Sequence, residues 1–375
     1  MGPLRMKAVW RGTASQRGGG FFADVLPLLY RALPLWRLGE RMRGGDCLAL
    51  SADPLILYVP DWVLDDVPGA LLPVFRQYRH DPVTLLVELS WAHDDASQLD
   101  RLARWKAQHG LRHPRHRMLF LANTEAEHRM MTARGLGSAW VSRNVFADPG
   151  TYRPLPVSGK PFDAVYDARV CPFKRHALAA GIERLALVAV RVEDHHDESY
   201  VRSVKEALPQ AHWFNDPLAP DYRSLDGAEI AGAINQARVG LCLSAVEGAM
   251  LASIQYLLAG LPVVSTESRG GRDAFFDPDY VRIVADDPAS VAAGVREMAS
   301  CPVPAEEIRR RTLERIEPHK TRLFELLDVI CATEGRPAIP RSRWSSWMSP
   351  QLTRMVAPAG IRTRIEDARR SSGDA

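Results

Sequence analysis

Three signatures that would point to common α/β enzymes are missing from the sequence. There is no Gly-x-Gly-x-x-Gly, no Gly-x-x-x-x-Gly-Lys-Ser/Thr and no His-Glu-x-x-His, so the nicotinamide, P-loop and zinc-protease readings lose their support. Cysteine is sparse: the five residues Cys47, Cys171, Cys242, Cys301 and Cys331 are odd in number, widely spaced and without a C-x-x-C pair. That excludes a disulfide framework and a zinc site on cysteine, and suits a reducing compartment. The formal charge is only +3 over 375 residues, so a nucleic-acid partner gains nothing from electrostatics, while a phosphate-bearing small ligand remains compatible. No apolar run approaches the ~20 residues of a membrane span. The opening MGPLRMKAVWRG has neither a long apolar core nor a small-residue cleavage site. The expectation is a cytoplasmic protein, at most peripheral at the inner face of a membrane. No repeat of solenoid period is present.

What is there is ordinary globular material, 46% apolar and 25% charged, in a chain long enough for two cores. A strand at Met6 to Trp10 is followed by a loop with three consecutive glycines, Gly18, Gly19 and Gly20. Residues 21–43 have mostly helical spacing interrupted by Pro27 and Pro34; they suit a first helix covering a sheet or, less well, a membrane surface. Strands at Cys47 to Leu50, Leu55 to Val59, Val83 to Leu89 and Met118 to Leu121 alternate with helices at Ser97 to His109 and Glu125 to Arg134. The Pro- and Gly-rich, aperiodic stretch from Asn144 to Lys160 reads as a linker.

Alternation then resumes. Strands are expected at Ala164 to Asp167, Leu185 to Arg191, His212 to Phe214, Val239 to Ser244 and Pro262 to Ser265. Helices are expected at Lys174 to Ala180, Tyr200 to Leu208, Ala228 to Ala237, Ala249 to Leu258, Pro288 to Met298 and Ala305 to Thr333. Runs such as LALVAV and VGLCLS read as strands buried on both faces of a parallel sheet. The result is two doubly wound α/β domains: residues 1–150, a linker at 151–163, a second domain at 164–335, and an extension at 336–375 with a helical stretch near 362–370, expected to pack back on the first domain.

In open α/β sheets ligands sit beyond the carboxyl ends of strands, where helix N-termini present free N–H groups. Glu247 lies at such a place, between strand and helix. Gln255, eight residues on, is rotated only about 80° from it around the helix. The two side chains suit a ligand with several hydroxyls, or else Glu247 caps the helix and Gln255 faces solvent. Arg169 and Lys174, after the strand at Ala164 to Asp167, are a pair of cations near a strand end, or plain surface charges.

The run from Glu247 to Gln255, continued by Gly-Leu-Pro-Val-Val and the Gly270-Gly271 turn, resembles the nucleotide-binding signature of retaining GT-B glycosyltransferases of the family-4 type (glycosyl transferases group 1). The resemblance implies a GT-B fold, two Rossmann-like domains facing a central cleft, with an N-terminal acceptor domain and a C-terminal nucleotide-sugar domain. It implies that Glu247 contacts hydroxyls of the donor sugar and that Gln255 holds the ribose, although a Glu is usual there and a neutral amide bonds more weakly. Gly248, Ala249, Met250, Gly270 and Gly271 are implied as donor contacts. The segment Asp167 to His176 is similar to the family's diphosphate grip, with Arg169 and Lys174 as the cations that stabilise the leaving group. Phe120 to Glu127 with Arg143 to Asp148 resembles the last βαβ unit of the family's first domain, Gly18 to Gly20 its first loop, and His93 the histidine at the reacting sugar.

The resemblance therefore implies a hexosyltransferase-like enzyme that moves a sugar from a nucleoside-diphosphate sugar to a hydroxyl acceptor (glycan, lipid-linked glycan or small molecule). No metal and no cofactor are implied beyond the donor itself. Two rivals stay open: a nucleotide-sugar epimerase on the same fold, and a catalytically silent nucleotide-binding scaffold, which Gln255 favours. Arg269 and Arg272 read either as contacts to an acidic acceptor or as unpaired surface arginines. His195 and His196 read as a solvated loop.

Overall fold

The computed structural model describes residues 47–62, 71–191 and 197–344, together with residues 360, 363, 365 and 366. The strand expected at Met6 to Trp10, the glycines at 18–20, the segment 21–43, His195 and His196, and most of the helix expected at 362–370 lie outside the described residues.

The first sheet contains β1 (Leu48–Ala52), β2 (Leu55–Pro60), β3 (Val83–Glu88), β4 (His116–Ala122) and β5 (Ser138–Trp140) in that spatial order. Every position of β2 and β3 is buried. Alternate residues feed different cores: Leu55, Leu57, Val59, Leu85 and Val87 pack on one face, Ile56, Tyr58 and Leu86 on the other. That two-sided burial explains why these strands read as unbroken apolar runs. The helices α1 (Leu72–Gln77), α2 (Ala96–Arg112) and α3 (Glu125–Ala133) accompany this sheet. Two of them start on reciprocal caps, Asp95 with Gln98 and Thr124 with Glu127. β1 departs from the βαβ expectation by pairing antiparallel with β2; the Asp53-Pro54 connection is too short for a crossover helix.

The second sheet is parallel throughout, in the order β11-β10-β9-β6-β7-β8. Its strands are β6 (Phe162–Arg169), β7 (Leu185–Val190), β8 (His212–Trp213), β9 (Ala237–Cys242), β10 (Val263–Thr266) and β11 (Val281–Val284). The connecting helices are α4 (Glu198–Ala207), α5 (Gly227–Asn235), α6 (Leu251–Leu258) and α7 (Pro288–Met298). One expectation fails here. The helix predicted over Lys174 to Ala180 is instead two short 3-10 turns, Pro172–Lys174 and His176–Ala179, separated by Arg175 in the left-handed region at φ 52°.

The 29-residue helix α8 (Ala305–Thr333) joins the two halves. Near its start Arg309 donates to the carbonyls of Pro149, Tyr152 and Leu258. Further along, Arg322 donates to Trp140 O at 2.8 Å and lies over the Trp140 ring, while His319 Nδ1 accepts from Ser142 N. Beyond it, Trp344 stacks on Phe146 at 5.5 Å, Ile365 is buried in the first domain's core, and Gln77 donates to Glu366 at 2.7 Å. Among the described residues no helix is long and apolar enough to cross a membrane.

Candidate active site at the domain junction

The carboxyl ends of β6 and β9 place two residues side by side that stand 73 positions apart in sequence. Lys174 Nζ donates to Glu247 Oε1, and the Ser244 hydroxyl donates to the same oxygen. Both partners are buried, Lys174 at 8% exposure and Glu247 at 6%. The backbone turns deliver them. The Tyr166 hydroxyl donates to Lys174 O at 2.7 Å, and the left-handed Arg175 next to it sends its guanidinium to Leu243 O, Thr266 Oγ1 and Asp286. Those bonds offset the roughly 1–2 kcal/mol that a left-handed residue costs, and they are why helix propensity loses at this position. On the other side, Glu247 N donates to Arg269 O at 3.0 Å and Arg269 N to Ala245 O at 2.9 Å.

Of the two readings for Glu247, the cap is excluded. The residue at the N-cap of α6 is Met250, with no side-chain cap bond, and the helix starts at Leu251. Gln255 does not face solvent either: it is 4% exposed. Arg169 ends β6 half-buried, and its guanidinium makes no hydrogen bond or ion pair among the described residues. Cys171, between Arg169 and Lys174 in sequence, feels the charges of Arg169, Lys174 and Glu247. Arg272 is corrected from either earlier reading. It is fully buried and donates to the carbonyls of Cys242, Ser244 and Thr266, so it fastens the strand ends and cannot reach an acceptor. Arg269 is exposed but paired with Asp94 of the first domain at 3.3 Å.

The glycines permit close approaches, at Gly248 and Gly271 between the two domains and at Gly270 within the second. A Cβ on Gly248 would lie 2.5 Å from Ser90 O, one on Gly271 2.5 Å from Asn123 Cβ, and one on Gly270 1.6 Å from Glu247 O. Gly270 also has φ 103°, a conformation that favours glycine. Ala249 and Met250 are buried beside them, and Met250 O accepts from Asn144 of the first domain. Across the junction, Trp91 packs edge-on against Phe173 at 5.2 Å, and Lys174 Nζ lies 5.1 Å from the Phe173 ring.

His93 follows β3, as expected, but is wholly buried. Its Nδ1 is 2.9 Å from Trp91 O and its Nε2 3.4 Å from Arg101, while Asp61 Oδ2 lies 3.9 Å away. Glu127 holds the loop from below, accepting from the backbone N–H groups of His93, Asn123 and Thr124. Asp61, which also accepts from Ser90 and from Trp62 N, carries no signal in the sequence. Glu127 was legible through the Thr-x-x-Glu cap.

The electrostatics exclude one chemistry. Burial raises the Cys242 thiol to about 12 and pushes Cys171 up as well, so neither supplies a thiolate nucleophile near neutrality. Burial likewise lifts the Asp167 carboxyl to about 7, with Lys174 pulling weakly the other way. Because the folded state favours the protonated form, stability is lost as pH rises from about 4 to 7. Asp167→Asn is expected to raise the melting temperature of the free protein at pH 8 by several degrees and to leave it unchanged at pH 4, as thermal melts at the two pH values will show.

No family model and no curated protein matches the sequence. Solved structures do. The chain resembles sucrose-phosphate synthase (tll1590) from Thermosynechococcus elongatus, with a TM-score of 0.53 and 12% identity over 86% of this chain and 82% of that one. It also resembles Anabaena Alr3699/HepE in complex with UDP and glucose, at a TM-score of 0.52 and 14% identity over 83% of each chain. A likeness to TarM has a TM-score of 0.45 and spans half of that protein's length. The fold is GT-B.

Proposed function

We propose that the protein is a glycosyltransferase that moves a sugar from a nucleoside-diphosphate donor to a hydroxyl acceptor, with retention at the anomeric carbon and without a metal ion. The observation that carries this reading is the buried Lys174–Glu247 pair, with Arg169 five residues before Lys174 and without a hydrogen-bond or ion-pair partner for its guanidinium among the described residues. In the proposed reaction the bond between the anomeric carbon and the phosphate oxygen breaks. The acceptor oxygen bonds to the same face, and its proton passes to the departing phosphate. Arg169 and Lys174 meet the charge that develops on the diphosphate, in a site shielded enough for fixed cations to act strongly. Glu247 then orients sugar hydroxyls. The solved relatives with UDP, or with UDP and glucose, bound support a donor of this class.

The test is a thermal-shift and transfer screen with UDP-, GDP- and ADP-sugars, with and without EDTA, and the product anomer assigned by NMR. At least one donor is expected to raise the melting temperature and to give a retained product that EDTA does not suppress. An inverted product, or no response to any donor, overturns the proposal. The silent-scaffold reading is favoured by Gln255, an amide where the family has a Glu; binding without turnover on any acceptor would establish it.

A further inference from the structure

Away from the candidate site, at the end of the first sheet where β4 begins, three histidines gather. His109 lies in the last turn of α2, His113 caps that helix, and His116 N donates to His113 O at 2.9 Å on the way into β4. The His113 and His116 rings stack at 4.7 Å and 13°, and the His109 ring lies 4.9 and 5.2 Å from them. Phe75 of α1 meets all three, at 4.8, 5.5 and 5.7 Å. Hydrogen bonding fixes the neutral forms of two rings. His116 Nε2 is 3.1 Å from Tyr78 O; a carbonyl only accepts, so Nε2 carries the hydrogen and Nδ1 of the neutral ring is left as an acceptor. His109 Nε2, 3.1 Å from that Nδ1, must therefore donate. One added proton, on His109 Nδ1, leaves both bonds standing. A second, on His116 Nδ1, sets N–H against N–H and breaks the pair. His113 Nδ1 is buried without a hydrogen-bond partner among the described residues, so a proton there places an unsolvated charge against the stacked His116 ring.

The surroundings do little to accommodate those protons. Arg112 of α2 and Arg79 in the turn after α1 act against a charge on His113. Arg115, before β4, donates to His80 O at 2.8 Å, and Arg76 and His80 are exposed on α1 and the turn after it. Asp81 is the carboxylate that favours a charged His116. The other charges of the packed elements are turned elsewhere: Lys106 of α2 to Gly135 O, Arg117 of β4 to Glu334, and Glu366 to Gln77. Burial holds all three imidazoles below the ordinary histidine range, His109 down to about 3. The unfolded chain therefore binds more protons than the folded one below about 6.5, so the stability is complete above that value and is lost as pH falls toward 3. We infer that His109, His113 and His116 form an acid-operated clasp. Neutral, they hold α1 and the end of α2 on the first sheet; on taking up more than one proton they release both, together with Glu366, which is bonded to Gln77 of α1. The second sheet has no part in this opening, and the inference is independent of the donor reading.

The experiment is hydrogen–deuterium exchange of the full chain at pH 7.5 and 5.0, corrected for the chemical exchange rate, beside NMR of the imidazole nitrogens in histidine-labelled protein. At pH 7.5 His109 and His116 are expected in the Nε2–H form. On passing to pH 5.0, exchange in residues 72–81 and 105–117 should rise about tenfold or more, with residues 162–190 unchanged. The triple variant His109→Gln, His113→Phe, His116→Gln keeps an amide donor toward Tyr78 O and an aromatic ring at 113, but cannot take up a proton. Its exchange in the two segments should differ by less than about twofold between the two pH values. An unchanged thermal transition at pH 7.5 shows that this variant is folded. If the folded variant keeps the wild-type acid response, carboxylates such as Asp81 or Glu366 carry it and the inference falls. Wild-type exchange that does not rise at pH 5.0 also overturns it. So do three imidazoles that each take up a proton between pH 6 and 7 with protection intact, a result read on wild type even where the variant fails to fold.

Discussion

Lys174→Ala is expected to lower sugar transfer by about 10²- to 10³-fold, the usual effect of removing one oriented charge from a leaving-group site. The same change leaves Glu247 buried without its cation. Breaking a buried pair from one side costs about 3–5 kcal/mol, so lost activity alone could reflect a weakened fold. The double variant Lys174→Met with Glu247→Gln separates the two effects. It removes both charges and keeps the volume, so urea unfolding should return close to the wild-type midpoint while transfer stays at the level of Lys174→Ala. If Lys174→Ala retains transfer within tenfold of wild type, Lys174 does not serve the leaving group.

The second large effect is expected at Gly248. An alanine there would place its Cβ 2.5 Å from Ser90 O, 2.6 Å from Ser90 C and 2.8 Å from Trp91 N. All three are backbone atoms of the opposite domain, and backbone cannot rotate away as a side chain can. The Ser90–Trp91 loop must therefore retreat, and the junction opens locally. Overpacking of this kind costs about 1–3 kcal/mol, a modest loss spread over an extensive core. The catalytic consequence is larger, because a displacement of about 1 Å between reacting groups can cost roughly 10²-fold. Gly248→Ala should thus bind the donor almost normally, through Arg169 and Lys174 on the second domain, but turn over about a hundredfold more slowly. Steady-state kinetics beside donor titration will show it. Wild-type turnover in this variant would mean that the reaction does not take place at this junction.

Much of the architecture was written in local patterns. Helices α7 and α8 have the predicted bounds, since each is long, periodic and preceded by a proline or an Asp cap. The two-sided apolar runs gave β2, β3, β7 and β9 to within a residue or two. What escaped detection was short or was decided at a distance. β5 has three residues, α1 has six, and β11 alternates too little, with two exposed positions of four. The segment after Lys174 has helix-forming residues, but Arg175 is pulled out of register by Leu243, Thr266 and Asp286. No sequence window contains those partners. The candidate site shows the same division. Glu247, Lys174 and Arg169 stand where spacing places them, at strand ends. Asp167 was quoted within a motif but had no role, because nothing in the sequence says that a carboxyl will be buried unpaired. Arg272 shows the mirror-image reason: a loop arginine that follows two glycines reads as exposed, whereas this one satisfies the carbonyls of Cys242, Ser244 and Thr266 at the strand ends.

The packing of Ile365 and α8 against the first sheet bears on how the protein is made. Ile365 lies in the core built by Leu55, Leu57 and Val87, and α8 fastens Trp140 and Ser142 from outside. Ribosomes add about 5–20 residues per second, so about ten seconds or more separate the emergence of Trp140 from that of Ile365. During that interval the described strands of the first sheet have all been made, and residues 162–284, which hold the second sheet, are synthesised. Until Ile365 emerges, the core that it shares with Leu55, Leu57 and Val87 lacks this side chain, so the first sheet reaches its final packing only after the second sheet has been synthesised.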